Sequence, residues 1–136
     1  MTLRDVRDYI ASLKIAENEN CYCGKLPDKR EKSIGVYPLK NGHPLRIPLG
    51  GIENASYGTK AISFLVHWNK SPKETEQAAV ALQKALLCCR EVVINDKKIK
   101  FIILNYEEPI PVGTDDNGVF EYVLECRFYY DKERKE

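Results

Sequence analysis

Five cysteines and two histidines are the residues of this 136-residue sequence that could support metal or nucleophilic chemistry. Structural zinc needs thiolates or imidazoles spaced so that they converge on one ion. Cys21 and Cys23 alternate along a predicted strand, whereas Cys88 and Cys89 end a predicted helix, where adjacent side chains point about 100° apart. Cys126 lies on the apolar face of a strand, where free cysteine behaves as a small hydrophobic residue. This pattern favours buried or half-buried thiols over a metal centre.

A catalytic cysteine would need a neighbouring base, and His43 and His67 are the only histidines in the sequence. His43 falls in a segment rich in glycine and proline, and His67 is expected on the outward face of a strand. Neither the Gly-x-Ser-x-Gly of serine hydrolases nor the glycine pattern of a phosphate-binding loop occurs. Gly50-Gly51 alone is typical of a turn or bulge. We therefore expect no enzymatic activity and no catalytic, cofactor-binding or metal-binding residues.

Composition bounds the remaining classes of protein. Lys and Arg number 21 against 20 Asp and Glu, so the basic excess of a dedicated nucleic-acid-binding protein is missing. No apolar run approaches the ~18 residues that cross a bilayer, and the N-terminus has no apolar stretch typical of a signal peptide. Together with the odd cysteine count, this predicts reduced thiols in a cytoplasm-like compartment. The length predicts a single domain over residues 1–136.

Two segments are predicted to be helices, residues 2–14 and 71–89. Thr2 is placed to cap the first helix, with Asp5 in its first turn. Residues 71–74 (SPKE) combine a capping box with proline at the first helical position. The expected buried stripes are Leu3, Val6, Ile10 and Leu13 in the first helix and Ala78, Leu82, Ala85, Leu86 and Cys89 in the second.

Alternation of apolar and polar residues predicts the strands. These segments are residues 21–26, 33–39, 46–49, 62–69, 92–94, 98–106 and 119–130. The polar run 25–32 is interpreted as a solvated hairpin loop joining the first two strands. Residues 98–106 are expected in the middle of the sheet because 101–104 are all apolar. The predicted fold class is α+β, with a mixed, mostly antiparallel sheet covered by the two helices.

The strand predicted for residues 119–130 is long for a domain of this size. Twelve residues at about 3.3 Å each span roughly 40 Å, whereas a globule of this chain length has a diameter of roughly 37 Å. Either the strand bends, or one end pairs with something outside the chain. An exposed strand end is a ready template for pairing with a second chain.

Seven residues are candidates for an interface with another protein. Aromatic residues are enriched among interface anchors, and Tyr57 is expected in an irregular loop over 40–59, while Tyr129 is expected on the polar face of the last strand. The loop predicted for 107–118 is acidic, and the interpretation that assigns it no functional role is an exposed hairpin tip. The seven candidates are Tyr57, Glu107, Glu108, Asp115, Asp116, Arg127 and Tyr129.

Three stretches together resemble a known family. They are residues 20–37 (NCYCGKLPDKREKSIGVY), residues 49–69 (LGGIENASYGTKAISFLVHWN) with the alanine-rich helix that follows, and residues 112–130 (VGTDDNGVFEYVLECRFYY). In order and spacing they are similar to the phage tail terminator proteins, the small "minor capsid" proteins of phages and prophages of Gram-positive bacteria. The resemblance covers most of the chain. It implies an α+β fold in which helices cover a sheet.

The resemblance implies a structural virion protein that forms a ring, typically a hexamer, on the head-proximal end of the tail tube. The ring would stop tube polymerisation and present a surface for head joining. Implied partners are further copies of the chain, the tail tube protein and the head-side connector protein, with the sheath protein as a further candidate. DNA would only pass through the ring lumen, and no membrane is involved. Assembly would take place in the cytoplasm of the host bacterium.

Several alternatives stay open at the level of the sequence. Contractile tails, non-contractile tails and bacteriocin-like contractile injection particles use similar proteins. Another head–tail connector protein, a stopper or adaptor, is the nearest different function, and a small metal-binding or enzymatic module is suggested by the cysteines alone. In a ring, the acidic loop 107–118 would face a neighbouring ring or the DNA channel, where negative charge would keep DNA from sticking as it passes.

The cysteine pattern makes the first testable prediction. We expect thiol titration of the denatured protein to find five reactive groups and elemental analysis to find no stoichiometric zinc. One zinc ion per chain would refute this interpretation of the thiols.

Overall fold

The computed structural model describes residues 1–24, 30–40 and 57–131. In this part of the chain the architecture is α+β, as predicted, with two α-helices and seven strands in one sheet. The expected strand at 46–49 and most of the expected loop over 40–59 lie outside the described residues. The elements are α1 (Leu3–Ser12), a short 3-10 helix (Asn18–Asn20), β1 (Cys21–Cys23), β2 (Ser33–Pro38), β3 (Tyr57–His67), α2 (Pro72–Leu87), β4 (Arg90–Ile94), β5 (Lys97–Leu104), β6 (Ile110–Thr114) and β7 (Phe120–Asp131).

Both helices begin where the sequence predicts. The Thr2 hydroxyl accepts a hydrogen bond from the Asp5 backbone N–H (3.2 Å), and the Asp5 carboxylate accepts one from the Thr2 N–H (2.9 Å), which completes a capping box. Ser71 caps α2 by accepting from the Glu74 N–H (3.3 Å). The capping box predicted for residues 71–74 is therefore only half right, because the Glu74 carboxylate does not accept from the Ser71 N–H. The Asn69 amide oxygen accepts from that N–H instead (3.0 Å), and the Asn69 amide nitrogen donates to the Glu74 carboxylate.

The sheet has the strand order β1-β2-β3-β7-β5-β4, with β6 pairing to β7 beyond the end of β5. Strand β7 lies at its centre. One edge of β7 pairs antiparallel with β3 from Tyr57 opposite Asp131 to His67 opposite Glu121. The other edge pairs first with β5 and then with β6.

The predicted overhang of the last strand is therefore wrong. Strand β7 has 12 residues, and β3 with 11 residues matches it along nearly its full length. Strands β5 and β6 run in the same direction and act as one interrupted strand along the other edge, where the Asn105 N–H donates to the Glu125 carbonyl (2.9 Å) between them. No end of β7 within the described residues offers an unpaired edge to a second chain.

Two further expectations are corrected. Strand β1 pairs parallel to β2, with Cys21 opposite Ile34, so residues 21–39 are not a hairpin. The Arg7 side chain of α1 donates to the Cys21 carbonyl (2.9 Å), which holds β1 against the helix, and alternation alone carries no information on strand direction. The loop expected over 107–118 contains β6, which includes Pro111.

Both helices pack on one face of the sheet and form the core with it. The sheet curls around α1, because this helix contacts β1 and β2 near one edge and β4 at the other. The Asn95 amide at the end of β4 donates to Asp5 (3.1 Å) and Asp8 (2.7 Å) of α1. At the centre of the core, the Phe128 ring meets Tyr9 edge-on at 6.2 Å between centroids and Phe64 at 6.1 Å.

Strand β5 lies between β7 and β4, which confirms the expected position inside the sheet. Only one of its two faces is buried. Ile99 and Ile102 face the core, whereas Phe101 is 39% exposed and Ile103 is 49% exposed. A continuous apolar run is typical of a strand that is buried on both faces, which requires helices on both sides of the sheet. In the described structure the helices lie on one side.

The two faces of the sheet differ in how they should respond to mutation. We expect Phe128→Ala to lower the free energy of unfolding by about 3–5 kcal/mol, because Phe128 is fully buried in the core. Phe101→Ala serves as the matched control and should cost only ~1 kcal/mol, the worth of a half-exposed ring stacked on another ring. Urea denaturation measures both, and equal losses would contradict the assignment of the faces.

Candidate assembly surface

The face of the sheet opposite the helices, here called the open face, carries a group of large apolar side chains. Tyr57 is 44% exposed, Phe101 39% and Ile103 49%. With the half-buried Tyr129, these residues form one continuous group across β3, β7 and β5, here called the Tyr129 patch. Large side chains of this kind are usually withdrawn from water, so a clustered set on a strand surface indicates a contact site.

Tyr129 holds the patch together. Its ring stacks on Phe101 with 4.6 Å between centroids and 19° between ring planes, and it lies 6.0 Å from the Tyr57 ring. A register shift in β5 between Ile99 and Phe101 turns Ile99 into the core and places Phe101 directly opposite Tyr129. The bulge therefore creates the stacked pair, which is a common use of bulges to re-aim a side chain.

Ion pairs within the chain surround the patch. Lys100 Nζ lies 3.2 Å from Asp131 Oδ1, and Lys98 Nζ lies 2.8 Å from Glu91 Oε2. Exposed pairs of this kind add little to stability. Because each lysine is paired with a carboxylate of the same chain, these two pairs add no net charge to the rim of the patch.

A second polar cluster lies at the opposite end of β7. His67 lies on the outer face as predicted, but it is only 6% exposed, because two carboxylates lie against it. Its Nδ1 is 3.0 Å from Glu121 Oε2, and its Nε2 is 3.6 Å from Asp115 Oδ2. The cluster ties the end of β3 to the turn between β6 and β7.

Asp115 organises that turn. Its Oδ1 accepts hydrogen bonds from the backbone N–H groups of Val119 and Asn117, each at 2.9 Å. These bonds, that of Val119 first, hold the pKa of the Asp115 carboxyl below its ordinary value, and the neighbouring His67 lowers the pKa in the same direction. The side chain of Asp115 thus serves the fold of the hairpin tip.

The structure brings together only some of the candidate interface residues. Tyr57 and Tyr129 are in ring contact, and Arg127 is the next side chain of β7 on the same face. Glu107 and Glu108 are exposed in the segment between β5 and β6, and Asp116 is exposed at the hairpin tip. Neither His67 nor any of the five cysteines belongs to the patch.

Phe101 and Ile103 were missed as surface residues by sequence reasoning. The signal that could have found them is the run of four consecutive apolar residues in 101–104. Successive side chains of a strand point to opposite faces. With helices predicted at only two places, half of such a run must lie on an uncovered face.

The cysteines form no site. All five thiols are unpaired, with Cys21, Cys89 and Cys126 buried and Cys23 and Cys88 exposed. Burial raises the pKa of each of the three buried thiols and so keeps them protonated. Among residues 1–24, 30–40 and 57–131, no three His, Cys, Asp or Glu side chains are grouped so that they could hold a metal ion.

Concave surfaces also occur among the described residues. The larger groove has a volume of about 470 Å³ and runs along the solvent side of α2. Its lining residues are Lys73, Glu76, Gln77, Val80, Ala81 and Lys84. No helix of the described residues is long and apolar enough to cross a membrane.

The role of Asp115 predicts a pH dependence of stability. Asp115→Asn keeps an acceptor oxygen but removes the charge, and at pH 6 it should cost about 1–2 kcal/mol, the difference between hydrogen bonds to a charged and to a neutral acceptor. Because the folded carboxyl has the lower pKa, the unfolded chain binds the proton first as the pH falls. The contribution is present above the ordinary value of 3.8 and is lost as the pH falls through the lower pKa of the folded protein.

Denaturation curves of wild type and Asp115→Asn between pH 6 and pH 2 measure this effect. Asp116→Asn removes the same charge from the exposed neighbour and is the matched control. A cost for Asp115→Asn that stays constant over the whole range would show that the carboxylate does not stabilise the turn through its charge.

Comparison with known protein families identifies a match over nearly the whole chain. A family model described as "Bacteriophage tail terminator protein" matches residues 7–132, which include both helices and all seven strands apart from the first residues of α1. No curated protein is similar enough to count as a relative. The matched segment is nearly the whole chain, and the chain therefore belongs to the bacteriophage tail terminator family, a family of structural proteins of the phage tail.

Proposed function

We propose that this chain is a single domain over residues 1–136 that forms a closed ring, a hexamer, on the head-proximal end of a phage tail tube. The ring ends polymerisation of the tube and provides the surface to which the head-side connector binds. The observation that carries this proposal is the tail terminator family match over residues 7–132. The protein acts through its surfaces, and we assign it no enzymatic activity and no cofactor.

A cyclic ring requires two different contact surfaces on each subunit, one for each neighbour. The fold favours such a subunit, since it confines both helices to one side of the sheet and leaves the open face with the Tyr129 patch. Because β7 is paired on both edges, contact through side chains of a face is better supported than addition of a strand at β7.

The acidic residues fit surfaces that meet other components of the tail. Glu107, Glu108 and Asp116 are exposed, and we place them toward a neighbouring ring or the lumen, where negative charge would let DNA pass without binding. Asp115 supports this surface indirectly by shaping the turn that carries Asp116. The tube protein, the head-side connector and, in a contractile tail, the sheath are the partners we propose.

The free protein is expected to be monomeric or only partly oligomeric, and hexameric on tails. Contacts between ring subunits can be weak when the tube end serves as a template that raises their local concentration. Assembly would take place in the cytoplasm of the host bacterium before the tail joins the head.

Deletion of the coding sequence from the phage or prophage particle tests the proposed function. Without a terminator, tubes should grow beyond their normal length and should fail to join heads, which electron microscopy of lysates measures directly. Supplying the protein from a plasmid should restore both length and joining. Tails of normal length joined to heads in the deletion strain would refute the proposal.

A further inference from the structure

We infer that the Tyr129 patch is the surface by which one copy of this chain binds the next copy in the ring. This inference rests on the proposed function, which it makes specific by assigning the contact and its occupant. The patch consists of Tyr57, Phe101, Ile103 and Tyr129 on the open face.

The patch has the composition and rigidity of an interface centre. Aromatic side chains dominate the few positions that supply most binding energy, and a polar rim commonly surrounds them. Phe101 and Tyr129 are already stacked at 4.6 Å, so little side-chain freedom remains to be lost when a partner covers them. The rim is supplied by the Lys100–Asp131 and Lys98–Glu91 pairs.

Charge favours a second copy as the occupant. The two ion pairs balance two lysines at the rim within the chain, whereas Arg127, opposite Ile103, and Arg90, opposite Phe101, add positive charge to the same face. A partner surface that carries carboxylates therefore suits the patch, and the exposed Glu107, Glu108 and Asp116 of a second copy can supply them. The chain itself has a formal net charge of +1, and two copies therefore meet with little mutual repulsion.

The size of the open face also fits a protein partner of this kind. Five strands, β2, β3, β7, β5 and β4, span it. At ~4.8 Å between strands and ~3.3 Å per residue along the 11 residues of β3, the face measures roughly 19 by 36 Å, or about 700 Å². A standard specific interface buries about 800 Å² on each partner.

The contact must be heterologous. If the open face of one copy packed on the open face of another, a two-fold dimer would form and association would stop there. In a ring, the patch of each subunit binds a different surface of its neighbour. A subunit with a damaged patch can still receive a neighbour on its other side but cannot itself continue the ring.

The test uses Phe101→Ser, with Ile103→Ser as a second variant in case the first does not fold. Leu87→Ser is the matched control, because Leu87 is an apolar residue 54% exposed on α2, on the opposite side of the sheet. Each full-length protein is added to tubes isolated from the deletion strain. Amine cross-linking then measures oligomers of the chain, and microscopy counts tube ends that carry protein.

Wild type and Leu87→Ser should yield cross-linked oligomers up to the full ring. Each patch variant should still bind tube ends, but its oligomers should fall by about tenfold or more, as expected for a central aromatic or aliphatic anchor. Two results would overturn the inference. One is patch variants that cross-link on tube ends as the wild type does, and the other is patch variants that no longer bind tube ends at all, which would make the tube protein the occupant. If the wild-type protein forms no ring on tube ends, the proposed function itself is wrong. That outcome depends on the wild type alone and not on the behaviour of the variants.

Discussion

Strand β7 forms backbone hydrogen bonds along both of its edges to strands of the same chain, and the arrangement of the rest of the molecule depends on this pairing. With both edges occupied, the only surfaces that β7 can offer are its two faces. The helices occupy one of them. Among the described residues, no helix covers the other face, and Tyr129 and Arg127 of β7 lie on it.

The buried face supplies the stability of the domain. Leu124, Cys126 and Phe128 of β7 are all buried, and residues of both helices and of β3 lie against them. Burial of each large apolar side chain is worth about 1.5–3 kcal/mol. Because this one face provides a core of sufficient size, the open face need not contribute to folding and is free to carry side chains suited to a partner.

Local features of the fold were predictable from the sequence, whereas non-local ones were not. Thr2 and Ser71 cap their helices as predicted, since capping depends on residues within one turn. The Asn95–Asp96 turn between β4 and β5 likewise follows from residues that adopt positive φ, here 50° and 62°. By contrast, the parallel direction of β1 and the double pairing of β7 depend on contacts between distant segments, and alternation reports only which side chains share a face.

The residues of the candidate surface were predictable only in part, because alternation within a strand is a local feature whereas the pairing of strands is not. Arg127 and Tyr129 could be assigned to an outer face from alternation alone. The expectation of a loop at Tyr57 is wrong, because this residue begins β3. Phe101 could not, because its orientation depends on the bulge between Ile99 and Phe101, and a bulge is set by the partner strand. The acidic candidates divide in a similar way: Asp116 is exposed, whereas Asp115 is engaged by the backbone of its own turn.

The central claim is that the open face of the sheet becomes buried when the protein assembles on a tail. Hydroxyl-radical footprinting of the free protein and of purified tails measures it most directly, because the aromatic rings of Tyr57, Phe101 and Tyr129 react readily when they are exposed to water. The account predicts that oxidation of these three residues falls sharply on tails, while Leu87 on the helix side serves as an internal reference. Oxidation of the three rings that is the same in free protein and in tails would contradict it.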